Sequence, residues 1–226
     1  MTSAAERLFQ EAFSIEVADT LDKEPDTKKW SVAGKGKVKT NPAGEDAKWW
    51  KANGPGMVNN WITWRRRVAW RVWVTPDGQP AIELPLEFVT PKGRPIKGFL
   101  DRVFVTPAGD LVIVDLKSGS RSPESDLQLG FYAYELANVY GIVVKYGAYW
   151  MARTGEMSEI HNISRVTPAL FGLWMDRFDK AIDNEIFIPN ITFRCRSCSH
   201  RDYCLAYGGS RAFMDPDYQL MEEEAA

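Results

Sequence analysis

Apolar residues recur along this chain at two spacings, and the switches between them mark out the elements. Residues 3–21 carry them at helical spacing and read as an amphipathic helix. Asp22–Asp46, rich in Lys, Gly, Asp and Pro without apolar periodicity, reads as a loop or mobile arm. After Pro55, Met57–Val74 places Val58, Trp61, Ile62, Val68, Trp70 and Val72 around Arg65, Arg66 and Arg67. With its Asn-rich entry, this stretch predicts a helix with a basic exposed side. Alternation then sets in. Ala81–Thr90, Ile96–Thr106 and Asp110–Lys117, separated by the turn sequences 91–95 and 107–109, predict an antiparallel meander. Ser122–Pro123–Glu124 offers a cap, a first-turn proline and an acid for the helix dipole, predicting a helix that runs to Gly141. Val143–Ala152 and Ser158–Ile163 predict two more strands, and Thr167–Asn184 carries Leu170, Leu173, Trp174, Phe178 and Ile182 at helical spacing. This order of elements predicts an α/β fold, a mixed twisted sheet of about five strands with helices against it. The expected organisation is an N-terminal helix and arm over 1–53, a core over 54–190, and a cysteine-bearing tail over 191–226 packed on the core.

Composition narrows the class. A chain of 226 residues, 45% hydrophobic, can bury one substantial core, which points to one domain with appendages. Its longest apolar runs, such as Tyr146–Ala152, fall far short of the about 20 residues a bilayer span needs, and Met1–Arg7 lacks a signal pattern. The expectation is a soluble, cytoplasmic protein without membrane contact. All three cysteines fall within Cys195–Cys204, which favours a metal or cluster site over a disulfide framework. The formal charge of −2 gives no global attraction to nucleic acid, so any such binding must come from local basic patches.

Candidate chemistry sits at the ends of the meander strands. Because side chains alternate along a strand, Asp101 should share an inward face with Phe99, Val103 and Val105, while Asp115 and Lys117 continue the row Leu111, Ile113. A lone buried charge costs several kcal/mol, which favours a metal, an ion pair or both. Two carboxylates from neighbouring strands suit Mg²⁺ or Mn²⁺, with the Leu116 carbonyl as a further candidate ligand. Such an ion polarises a phosphoryl oxygen and activates water, while Lys117 can orient or deprotonate that water and offset charge on the phosphate. Gln128, Tyr132 and Glu135 share one helix face that can look toward the strand ends. An Asp–Lys pair two residues apart is also common as an exposed salt bridge, so the pair alone decides nothing. Glu87 alternates with Glu83 opposite Ile82, Leu84, Leu86 and Phe88, which reads as a solvated face and leaves Glu87 a secondary metal candidate. No Ser or Cys nucleophile motif accompanies a suitable histidine, and no Walker-type loop occurs, which disfavours acyl transfer and an ATP-driven motor.

Taken in order, GFLDRVF at 98–104, VIVDLKSG at 112–119 and DLQLGFYAYEL at 126–136 resemble the RecB-type nucleases of the PD-(D/E)xK superfamily, which include CRISPR-associated adaptation nucleases and many phage exonucleases. Their pattern runs Gly-x-x-Asp-Arg, then Asp-x-Lys-Thr-Gly, then Gln-Leu-x-x-Tyr. Gly98, Asp101 and Arg102 match the first; Asp115, Lys117 and Gly119 the second, with Ser118 in place of threonine; Gln128, Leu129 and Tyr132 the third. The resemblance implies a restriction-endonuclease-like core and Mg²⁺- or Mn²⁺-dependent hydrolysis of DNA, by exonuclease action in phage or bacterial recombination, repair or processing. It implies catalytic roles for Asp101, Asp115, Lys117, Gln128 and Tyr132, a metal held by Asp101, Asp115 and Leu116, and recombination or replication proteins as partners.

Two departures accompany the resemblance. Such nucleases carry a metal-ligating histidine in a Gly-x-x-x-His context before the first strand, where this chain has Asn60 after Gly56. Asparagine can still offer an oxygen to Mg²⁺, yet the change also opens a second reading: a weakened or inactive DNA-binding or adaptor protein on the nuclease fold. A metal-stabilised protein-interaction module is a third. Likewise, Cys195-x-x-Cys198-x5-Cys204 resembles the trio that holds an iron–sulfur cluster in some family members, whose fourth cysteine lies near the N-terminus. No cysteine precedes Cys195 here. His200 would complete a Cys₃His set suited to Zn²⁺ or to a cluster with one imidazole ligand, and three reduced cysteines without metal remain the alternative. For DNA contact, Arg65, Arg66, Arg67, Arg71, Lys92, Arg94, Lys97 and Arg102 supply positive charge, interleaved with Trp61, Trp64 and Trp70. Tryptophans at helical spacing also suit a core, and Arg102 can equally be structural.

Overall fold

The alternating segments pair as their pattern predicts. In the computed structural model, which describes residues 3–27, 30, 44–90, 92–192, 195–196 and 198–210, β1 (Arg71–Val72) and β2 (Ile82–Val89) both pair with β3 (Pro95–Val105). β3 in turn pairs antiparallel with β4 (Leu111–Lys117), Val103 opposite Ile113. β4 then runs parallel to β5 (Tyr146–Met151), Asp115 opposite Tyr149. A parallel pair needs a crossover, and α3 (Leu127–Tyr140) supplies it. Two-residue strands β6 (Glu156–Met157) and β7 (His161–Asn162) complete a seven-stranded mixed sheet along β5.

Each face of this sheet meets a helix. On one, Leu84, Leu100, Val103, Ile113 and Tyr149 pack against Leu129, Tyr132, Ala133 and Leu136 of α3. On the other, Phe104, Val112, Val114 and Trp150 pack against Trp61 and Trp64. Those tryptophans belong to α2 (Ala47–Arg67), where Trp64 is buried and Trp61 is half-buried against the same cluster. Burial of each such side chain contributes roughly 1.5–3 kcal/mol, enough to hold β3 and β4 between the two helices.

Several boundaries differ from the sequence reading, each for a local reason. α2 starts well before Met57, where Asp46 Oδ1 accepts a hydrogen bond from Trp49 N at 2.8 Å, and Pro55 lies inside it. Asn59 and Asn60 do not begin the helix. They make tertiary bonds from its middle, Asn59 to Glu6 and Asn60 to the Ala152 carbonyl. The helix ends at Arg67, and the β-branched and aromatic residues beyond it go to the sheet: Arg71–Val72 form β1, and Trp73 N donates to Val103 O at 2.9 Å. α3 begins at Leu127 rather than near Ser122, because the Tyr149 hydroxyl donates to the Ser125 carbonyl and the Asp126 carboxylate binds Arg165 at 2.7 Å. Its end is as expected, at Gly141 with φ of 68°. In β3 the inward row changes parity: Phe99 is exposed while Leu100 is fully buried. Ile82 is likewise exposed, since Glu83 beside it adopts φ of 48°, in the left-handed region.

α1 (Ala4–Lys23) opens on a capping box between Ser3 and Glu6 and buries no residue of its own. It meets α2 through the Phe9 ring, which lies where a Cβ on Gly54 would be 2.0 Å away. Most of the predicted arm (28–29 and 31–43) and the acidic end Glu222–Glu224 fall outside the described residues. The chain divides into two compact units, Met1–Asp176 and Arg177–Ala226. α4 (Pro168–Asp183) spans that boundary, and the second unit also holds short 3-10 turns at Arg201–Tyr203 and Leu205–Tyr207. Among the described residues, no helix is long and apolar enough to cross a membrane.

Candidate active site

The β3–β4 ladder runs from Val105 opposite Leu111 to Arg102 opposite Val114, and there it stops. One residue further, the Asp101 side chain takes over from the backbone: its Oδ2 accepts a hydrogen bond from Leu116 N at 2.7 Å. The two strands thus part at Asp101 and Asp115, leaving both carboxylates at one fork. Asp115 is 2% exposed, and Lys117 Nζ lies 2.7 Å from its Oδ2. Asp115 is thus ion-paired and buried, and the Lys117 and Tyr132 side chains both favour its charged form. Lys117 also donates to Gln128 Oε1 at 2.8 Å, and Gln128 Nε2 donates to the Tyr132 hydroxyl at 3.0 Å. Asp101, Asp115, Leu116, Lys117, Gln128 and Tyr132 therefore form one connected group, built from the middle of β3, the end of β4 and the first two turns of α3.

Electrostatics follow from that burial. Loss of solvent raises the Asp115 carboxyl above its usual range, Asp101 pushes the same way, and Lys117 pulls it back. Burial also drives Tyr132 and Tyr149 to about 12, so both phenols stay protonated at neutral pH. Tyr132 is then a neutral hydrogen-bonding group rather than a base. Two carboxylates at one fork, one of them buried, fit a hard divalent cation. Among the described residues no three His, Cys, Asp or Glu side chains converge as a metal cage. Mg²⁺ does not need one, since it is commonly held by one or two carboxylates together with water and substrate phosphate.

Other sequence candidates lie elsewhere. Asn60 Nδ2 donates to the carbonyls of Ala152 and Arg153 at 2.9 and 3.3 Å, which commits its amide to the end of β5. Glu87 faces solvent and pairs with Lys97 at 2.5 Å. The Arg65 guanidinium donates twice to the Trp70 carbonyl at 3.1 Å and lies 4.7 Å over the Phe104 ring, and Arg102 pairs with Glu83 at 3.2 Å. Arg66 and Arg67 are exposed, and Arg94 is half-buried in the β2–β3 turn region. Cys195, Cys198 and Cys204 are free thiols, and with His200 they do not converge into a ligand set.

Residues 3–205 match the model of the PD-(D/E)XK nuclease superfamily. The chain belongs to that superfamily. Among curated proteins it is similar to the Gene 69 protein of Mycobacterium phage D29, 34% identical over 148 residues, 58% of this chain and 54% of that protein. It is also similar to the Gene 69 protein of Mycobacterium phage L5, 30% identical over 168 residues, 66% of this chain and 55% of that protein. The chain thus spans about half the length of the curated relatives it matches.

Two features of this PD-(D/E)XK chain escaped the sequence reading. Arg153, in the turn after β5, grips Glu45 through both guanidinium nitrogens at 2.9 and 2.7 Å and donates from Nε to Ser118 O at 2.6 Å. It thereby ties the entry of α2 to the residue after Lys117. Their separation of 108 positions left no local signal. Glu135, noticed only as sharing a face with Gln128, is completely buried with neither carboxylate oxygen hydrogen-bonded. It lies against Gly98, where a Cβ would come within 2.1 Å of Glu135 Oε1, so the glycine of the first motif makes room for this carboxyl.

Burial raises Glu135 to about 7. Below pH about 4.5 it is protonated both folded and unfolded, and its ionisation does not affect stability. Between about 4.5 and 7 the unfolded chain loses this proton first, so stability should fall as pH rises and level off above 7, by at most about 3 kcal/mol. Glu135→Gln is expected to flatten that fall. Melting curves at pH 5, 6, 7 and 8 test this, and equal pH profiles for both proteins would refute it.

Proposed function

We propose that this chain is a divalent-metal-dependent deoxyribonuclease, acting on DNA ends. One observation carries the reading: buried Asp115, ion-paired with Lys117, stands at the fork where the Asp101 carboxylate accepts from the Leu116 amide. Asp101, Asp115 and the Leu116 carbonyl would hold Mg²⁺ or Mn²⁺. When bound, the ion supplies phosphoryl polarisation and a water of lowered pKa. Lys117 orients the attacking water and offsets charge gathering on the phosphate as the new P–O bond forms and the leaving oxygen departs. Gln128 holds the Lys117 ammonium in place, and Tyr132 anchors Gln128 from the other end.

Gln128→Ala is therefore expected to retain metal affinity and to lower cleavage less than Asp115→Ala does. Calorimetric loss of Mn²⁺ binding as severe as in the aspartate variant would place Gln128 among the ligands instead. A second reading, DNA binding without cleavage, is favoured by Asn60, whose amide is engaged with backbone carbonyls where the resembling nucleases have a histidine ligand. End-labelled linear and closed circular DNA, single- and double-stranded, with Mg²⁺, Mn²⁺ or a chelator, separates the two. Metal-dependent loss of label from linear but not circular DNA is the expected result. Binding without any cleavage would establish the adaptor reading.

A further inference from the structure

On the α2 side of the same strand end lies a cavity of about 350 Å³. Its walls are apolar and largely aromatic, including Phe9, Trp50, Val58, Trp61 and Trp150. Among the described residues its charged lining residues are Arg102 and Lys117, which pair with Glu83 at 3.2 Å and Asp115 at 2.7 Å, and no carboxylate lines it. The Arg102 guanidinium sits 5.8 Å over the Trp61 ring, so one wall pairs an aromatic face with a cation. Leu116 and Lys117 belong both to this cavity and to the carboxylate site: the Leu116 amide donates to Asp101 while the residue itself lines the cavity.

Aromatic walls, one of them carrying a guanidinium over its face, suit a flat ring. The volume lies at the small end of ligand pockets, which run from about 300 to 1,000 Å³, so the cavity takes a small group rather than a helix or a duplex. A phosphate at Asp101, Asp115 and Lys117 has a base one sugar away, and the strand end between the two sites is only the Leu116–Ser118 segment. We propose that this cavity receives an unpaired nucleobase adjoining the scissile phosphate. The inference rests on the nuclease reading and deepens it. The substrate class becomes DNA with a free base at the cleavage point, a single strand or a frayed end, because a base inside a duplex cannot enter without leaving the stack.

The test uses the full chain with Ca²⁺ in place of Mg²⁺ and short thymidine oligonucleotides carrying an abasic residue at each position in turn. Base–aromatic stacking predicts that one abasic position weakens binding by about 5- to 150-fold and reduces the quenching of tryptophan fluorescence. Val58→Phe, which fills the cavity from α2, should bring the intact oligonucleotide down to the affinity of that abasic one. Equal affinity within about twofold at every position would overturn the proposal, as would full discrimination by a folded Val58→Phe protein. If Val58→Phe does not fold, the abasic series on the unaltered protein still decides. Metal-dependent cleavage with no abasic effect would leave the nuclease reading standing and remove the pocket, whereas no binding and no cleavage would remove both.

Discussion

Lys117→Ala is expected to slow DNA cleavage at least about a hundredfold, the loss typical for removing a main charge-stabilising group. The structure adds a second, separable effect. Lys117 lowers the raised pKa of Asp115, so without it the buried carboxyl should hold its proton to higher pH. A carboxylate must be deprotonated to bind a metal. Mn²⁺ affinity of Lys117→Ala should consequently weaken as pH falls, over a range where the unaltered protein still binds. Calorimetry at several pH values measures this directly. Asp101→Ala and Asp115→Ala should each cost at least as much in rate, and the Asp115→Ala, Lys117→Ala double variant should be hardly slower than the worse single one, because these groups act as a unit. A folded Lys117→Ala protein cutting DNA at normal speed would end the assignment, and additive losses would show that the two residues work independently.

The meander and the three motifs were legible because both rest on short-range pattern. Alternation fixed β2, β3 and β4, and the turn sequences set their antiparallel order. The placement of Asp115 and Lys117 followed from the same period of two. Gln128 and Tyr132 reached the strand end as their helical spacing suggested, joined to Lys117 by hydrogen bonds. What the pattern could not show depends on tertiary contacts. α2 runs through Pro55 because its tryptophans bury against Phe104 and Trp150 and because Gly54 seats the Phe9 ring, neither of which is local. Phe99 turns outward because β3 leaves its backbone ladder with β4 at Asp101, where a side chain takes over the bonding. Arg65 and Arg102 looked like DNA contacts by charge alone, yet each is engaged by groups within the fold. Glu135 had no sequence signal beyond its helix face. That face can look toward the strand ends, but only Gly98 beneath it shows that the carboxyl is fully buried there.

Arg153→Ala is expected to lower the stability of the folded chain by about 3 to 5 kcal/mol, since the buried Glu45 carboxylate loses two charge-assisted hydrogen bonds worth about 1.5–3 kcal/mol each. Glu45 is 8% exposed and loses both of its bidentate bonds, while Ser118 O loses its donor and Trp49 loses the guanidinium 4.8 Å over its ring. For a chain of this size, a loss of 1 kcal/mol corresponds to about 2–4 °C, so the melting temperature should drop by about 6 to 20 °C. Adding Glu45→Ala to Arg153→Ala should recover part of the loss, because the buried carboxylate that lost those bonds is then gone, and this distinguishes a true pair from two independent packing residues. The fold effect should also reach the candidate site. Arg153 binds the carbonyl directly after Lys117, so a single Arg153→Ala protein held well below its melting temperature should cut DNA more slowly with metal affinity intact. A melting shift worth less than about 1 kcal/mol, or no recovery in the double variant, would mean that Glu45 finds another partner or solvent when Arg153 is removed. In that case the Glu45–Arg153 pair would be a contact of the folded chain and not what holds the end of β4 against α2.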